Sequence, residues 1–209
     1  MGVSPEFWFN LGLAISSCLG GIFTGVAYSF VRKRLAEKKE AEEIGLNARG
    51  SLFQHKHTVV HETLTSLRIR AGADRARIGY FHNGGRFLDG QAMKKLSITH
   101  ESCERGVVYD GANFQNILVT VFWDLVESMR MDEPKIHLSS EMREGYFRSY
   151  NHSNGIHAYS ILPIKKGDLF AGFIVLDWFD GSRIPAAGSS FPELFIDSRN
   201  YIELEMAMR

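Results

Sequence analysis

An uncharged run of 25 residues, Phe7 to Val31, limits what this chain can fold into more than any other feature. As an α-helix it would reach roughly 37 Å, enough to cross a hydrocarbon core of about 30 Å with some tilt. Ser4-Pro5-Glu6 suits a helix start: Ser4 caps, Pro5 fits the first helical position, and Glu6 complements the positive end of the dipole. Phe7, Trp8 and Phe9 stand where one aromatic belt would lie, and Tyr28 and Phe30 near the other. Arg32, Lys33 and Arg34 follow at once, and no basic side chain precedes the run. The positive-inside rule then puts the C-terminal part in the cytoplasm, so the expected location is the cell inner membrane, single-pass. A cleaved signal peptide would carry its basic residues before the apolar run. A buried soluble helix of this length would normally contain charge.

The expected organisation is a transmembrane helix over 5–31, a charged helical connector over 32–50 and one soluble domain over 51–209. Gly21 and Gly25 form a small-xxx-small pair in the apolar run, a face through which two copies can approach as a homodimer. The connector, RKRLAEKKEAEEIGLNA, is built from strong helix formers, with too few apolar residues for a sustained heptad seam. Lys plus Arg equals Asp plus Glu at 24 each, which argues against a nucleic-acid partner. The two cysteines, Cys18 in the apolar run and Cys103 in the soluble part, require no oxidising compartment.

The soluble part reads as alternating helical and extended patterns. Gln54 to Ile69 is apolar at Val59, Val60, Leu64, Leu67 and Ile69, which predicts an amphipathic helix ending before Gly72. Arg77 to Asn83 and Met93 to Glu101 read as strands, joined by a glycine-rich loop over Gly84 to Gln91. Phe114 to Met131 carries a helical apolar spacing, with Trp123 among its core positions. Lys135 to Leu138 reads as a short strand and Ser140 to Tyr150 as a helix. His157 to Ile164 and Leu169 to Phe179 predict an antiparallel hairpin about a Lys165-Lys166-Gly167-Asp168 turn, and Phe191 to Met208 a closing helix. Without a βαβ rhythm, this order predicts an α+β fold: an antiparallel sheet of about five or six strands flanked by helices.

That order resembles the GAF domain, the small-molecule sensory fold related to PAS. The likeness rests on a first helix running into the strand ARIGYFHN, on the hairpin GIHAYSILPIKKGDLFAGFIVLDW with its apolar-Pro step, charged turn and internal glycine, and on the terminal amphipathic helix. It covers about residues 52 to 209. The resemblance implies a ligand pocket among the end of the first strand, the second strand and the 102–156 region. It brings no chromophore cysteine and no cyclic-nucleotide motif, so no cofactor is expected.

The densest polar group of residues is His82-Asn83-Gly84-Gly85 with Lys94, His100 and Glu101. If the first two strands pair, both histidines fall on one side of the sheet, and the set would suit a small anionic ligand. The competing reading is a structural clamp on the loop, since Asn83-Gly84 is ordinary turn chemistry. His57 and His61 lie one helical turn apart, a spacing metals use, but the order differs from H-E-x-x-H and no metal site is expected. His100 and Cys103 invite comparison with a nucleophile pair, yet no substrate or second cysteine supports catalysis, and the chain is expected not to be an enzyme. The expected function is a membrane-anchored sensory or small-molecule-binding module without an output domain of its own, acting on a protein partner. The alternative is a non-catalytic structural or interaction membrane protein, including a phage-type or lysis-related one.

Overall fold

Two adjacent strands covered on both faces organise the unit His55–Arg209. β5 (Ala158–Lys166) is buried from Ala158 to Ile164, and β6 (Leu169–Trp178) from Gly172 to Trp178. Their Val, Ile, Leu and aromatic content leaves no polar face for water, so layers must cover both sides. The computed structural model describes residues 33–39, 50–86, 92–167 and 169–207. The chain divides into two units, Met1–Gln54 and His55–Arg209. In the first, residues 33–39 are helical and exposed. The predicted transmembrane run over 5–31, with its Gly21 and Gly25 face, lies outside the described residues. Among the described residues no helix is long and apolar enough to cross a membrane.

The described strands form one antiparallel sheet in the order β3-β2-β1-β6-β5-β4, adding β1 (Arg75–Arg86), β2 (Ala92–Cys103), β3 (Ile117–Leu118) and β4 (Ile136–Leu138). One face packs against helix α1, over residues 50–70, and helix α4 (Phe191–Ala207). Val60, Leu64 and Leu67 of α1 and Phe191, Phe195 and Ile202 of α4 bury Ala76, Ile78, Leu162, Ile174, Leu176 and Trp178. The spacing of Val60, Leu64 and Leu67 is the helical stripe read from sequence; Ile69 points outward and is exposed. Trp178 is fully buried and donates its indole N–H to the Ala71 carbonyl at 3.2 Å.

The opposite face carries Leu96, Ile98, Tyr159, Ile161, Phe173 and Val175. The segment between β2 and β5 covers it through Phe114, Phe122, Leu125, Met129 and Phe147, the last on helix α3 (Tyr146–Ser153). Here the structure corrects four expectations. The helix predicted over Phe114–Met131 is broken: 3-10 turns flank β3, and only α2 (Trp123–Ser128) is α-helical. Asn116 takes a left-handed φ of 59°, Leu118 and Ile117 pair with Lys95 and Leu96 of β2, and the β-branched run Val119-Thr120-Val121 offers little helix propensity. Trp123, expected in the core, is 48% exposed. The helix predicted over Ser140–Tyr150 is a 3-10 turn at Ser139–Glu141 followed, after an extended Gly145, by α3. Gly84 and Gly85, expected in a loop, lie within β1, at a register shift between Asn83 and Arg86.

Candidate functional site

Side chains two apart on a strand share a face, so Arg75 and Arg77 of β1 both project under the segment between β2 and β5. Each is only 2% exposed. Both donate to one oxygen of Asp177 on β6: Arg75 Nε at 2.9 Å and Arg77 Nη2 at 2.8 Å from Oδ2. Tyr150 of α3 accepts from Arg75 at 2.9 Å and from Arg77 at 3.1 Å, and its hydroxyl donates to Asp110. Glu101 stands 4.0 Å from Arg75 and accepts from the backbone N–H groups of Asp110 and Gly111 at 3.0 and 2.7 Å. Aromatic faces complete the enclosure, with Phe179 5.3 Å from the Arg75 guanidinium and Phe114 5.6 Å from that of Arg77. Burial opposes charge on Arg75, but Asp177, Tyr150 and Glu101 outweigh it and hold the guanidinium above the ordinary arginine value. Burial pushes the Tyr150 phenol up to about 12. This cluster fastens α3 and the 104–111 turn to the sheet, and it leaves Arg77 Nε and Asp177 Oδ1 buried without a partner among the described residues.

Beside that packed region a cleft of about 240 Å³ opens between α2, β4 and the 138–143 strap. Its floor is the buried Tyr159 ring, whose hydroxyl shares a hydrogen bond with Ser128 Oγ at 3.0 Å. His137 of β4 stacks on that ring, with centroids 5.1 Å apart and planes 18° from parallel. Cross-strand register sets this stack, since His137 and Tyr159 are paired neighbours. Burial, with Lys135 adding, holds the His137 imidazole below the usual histidine range, so at neutral pH it is uncharged. Trp123, Ile136 and Met142 supply apolar wall; Lys135, Arg143, Glu127 and Glu141 reach it with charge. Asp124 also lines the cleft, but its carboxylate is occupied: it accepts from Leu125 N at 3.1 Å, Phe147 N at 3.0 Å and Arg148 N at 3.3 Å. It thereby satisfies the first turn of α3 from outside that helix. Gly145 makes this approach possible, because a Cβ there would stand 2.4 Å from Asp124 Oδ2.

The residues singled out from sequence are divided between environments. Asn83 and Lys94 are cross-strand partners, and Lys94 is exposed. His82 pairs with Lys95, and its Nε2 lies 2.8 Å from Ser97 Oγ. His100 occupies the α1 side of the sheet, where its Nε2 meets His57 Nδ1 at 2.8 Å with the rings stacked 4.9 Å apart. Burial first, then His57 and His61, brings the His100 imidazole down to about 4. Glu101, one residue on, turns to the other face and joins the Arg75 cluster. Cys103 also faces that side, so the register does not bring His100 and Cys103 together; burial and then Glu101 push its thiol up to about 11. His57 is thus tied to the sheet by its ring, and among the described residues no group of three His, Cys, Asp or Glu is placed to hold a metal. Sequence reasoning missed Arg75, Arg77, Asp177 and Tyr150. The available signal was charge at alternate positions of a strand otherwise apolar enough to be buried.

No family model matches the chain, and no curated protein matches it. Solved structures do. The phycocyanobilin-bound GAF domain from a cyanobacterial phytochrome is similar with a TM-score of 0.54 at 13% identity, over 77% of this chain and 89% of that one. The photoproduct state of GAF3 from Slr1393 of Synechocystis sp. PCC6803 is similar with a TM-score of 0.54 at 13% identity, over 72% of this chain and 92% of that one. A red/green cyanobacteriochrome in its red-light-absorbing state gives a TM-score of 0.50 at 14% identity, over 72% and 90%. The fold of the unit His55–Arg209 is therefore GAF-like, as the order of helices and strands implied.

Proposed function

We propose that this chain is a membrane-anchored sensory or small-molecule-binding module whose ligand enters the cleft between α2, β4 and the 138–143 strap. The supporting observation is the Tyr159–His137 stack at the floor of that cleft, on the sheet face opposite α1 and α4. An uncharged imidazole over a buried phenol offers a flat, polarisable surface, and the half-exposed Trp123 indole adds a second one. The volume suits a compact molecule, with Lys135, Arg143, Glu127 and Glu141 as orienting charges. The anchor is supported by the uncharged run Phe7–Val31 and the basic residues that follow it. Ligand binding would act on a protein partner by favouring one arrangement of the strap over another. Isothermal titration of the protein against a panel of nucleotides, amino acids and organic acids tests this. Saturable binding that His137→Ala abolishes is the expected result; uniform absence of heat across the panel counts against it.

One observation favours a second reading, a non-catalytic interaction protein. Phe114, Phe122, Phe147, Tyr150 and the two arginines pack together between the sheet and its covering segment. Trp123 and Tyr146 of that segment are meanwhile exposed, at 48% and 51%. In that case Trp123→Ala would weaken association with a protein partner while no small molecule binds.

A further inference from the structure

The strap, taken one residue further to Glu144 as 138–144, has a second side. Leu138, Glu141, Met142 and Arg143 line the cleft described above, whereas Ser139, Ser140 and Glu144 line a separate groove of about 790 Å³. This groove runs along α3 and past the end of β6, where Ile156 and Phe179 give it an apolar wall. Three residues with nitrogen-bearing side chains line it: Arg148, His152 and His157. Arg148 and His152 are four residues apart on α3 and so share one helix face. Among the described residues, none of the three makes an ion pair within 4.0 Å.

We propose that this groove binds a small oxyanion, a phosphate or a carboxylate, carried on a compact organic molecule. A guanidinium offers a planar fork of donors that matches two oxygens of either group. The backbone beneath it is held in place: the Arg148 N–H donates to Asp124 at 3.3 Å, the His157 N–H donates to the Trp178 carbonyl at 2.8 Å, and the His157 carbonyl accepts from Ser139 at 2.9 Å. The Ser139 hydroxyl is buried and has no hydrogen-bond partner among the described residues, a cost that an acceptor oxygen would relieve. The Ser149 hydroxyl already donates to the Gly145 carbonyl at 3.0 Å, so Ser139 and Ser140 are the hydroxyl donors. Two carboxylates stand nearby. Asp180 faces His157 but is engaged by the Ser182 N–H at 2.9 Å and its hydroxyl at 2.8 Å. Glu144 lines the groove itself and repels an anion, which makes it the tuning residue of the site.

Calorimetric titration of the full chain with inorganic phosphate and, separately, succinate tests the assignment, with sodium chloride at matched ionic strength as the control. Saturable binding of one anion or the other is expected, and which of the two binds names the ligand's charged group. Arg148→Gln is expected to weaken it roughly ten-fold or more, as loss of a charge-assisted pair of hydrogen bonds requires. Glu144→Gln is expected to tighten it, a gain that misfolding cannot imitate. No saturable heat with either anion overturns the proposal, as does unchanged affinity in Arg148→Gln or weaker affinity in Glu144→Gln. The His137→Ala variant, altered in the other cleft, should bind the anion as the unaltered chain does, so failure of one site leaves the other standing.

Discussion

Asp177 is fully buried and carries two guanidiniums on a single oxygen. Removing it would leave Arg75 and Arg77 charged, dehydrated and without a carboxylate between them. Breaking such an arrangement from one side costs far more than the net stabilisation it supplies when intact. Asp177→Ala is therefore expected to destabilise the domain by about 3–5 kcal/mol. Urea denaturation followed by circular dichroism reads this directly. The same reasoning explains why the cluster is built around Tyr150. Its hydroxyl accepts from both arginines and donates to Asp110, so one α3 residue takes hydrogen bonds from β1 and gives one to the turn after β2. His100 illustrates the opposite solution to burial: its imidazole stays neutral against His57 rather than seeking a counter-charge.

At the scale of elements, α3 depends on a residue outside itself. Its first turn is satisfied by Asp124 of α2, and that contact needs the missing side chain at Gly145. Gly145→Ala is expected to push the carboxylate off the helix start at a cost on the order of 2–3 kcal/mol, read as a lower denaturation midpoint with an unchanged slope. The elements legible in the sequence were those whose own periodicity matched their burial. The stripe Val60, Leu64, Leu67 revealed α1, and the near-continuous apolar runs about the Lys165–Gly167 turn revealed the β5–β6 hairpin. The 114–131 stretch deceived because its apolar spacing fits a helix equally well. What breaks it is pairing of Ile117 and Leu118 with β2, a contact no local pattern encodes. The same limit hid the buried cluster: Arg75 and Asp177 lie 102 residues apart, and only the β1–β6 register makes them neighbours. The proposed cleft likewise joins β4, β5 and α2, whereas the polar residues conspicuous in sequence were those crowded into β1 and β2.

At the scale of the whole molecule, the sheet separates two kinds of surface. The α1 and α4 side is a continuous apolar core, from Val60 to Trp178 and Ile202. The other side is covered by short turns and two helices of 6 and 8 residues, held by single aromatic and aliphatic side chains together with polar contacts. Segments held in this way open at lower free energy than a core helix, and a ligand that binds between them has an equilibrium to shift. The strap over 138–144 is such a segment, lining a cleft on one side and a groove on the other. The central claim, that a small molecule binds in the Tyr159–His137 cleft, is tested most directly by side-chain NMR of the isotopically labelled protein during a ligand screen. The predicted result is a set of saturable shifts centred on Trp123, His137 and Tyr159. Shifts confined to His82, Lys94 and His100, or none with any compound, would contradict it.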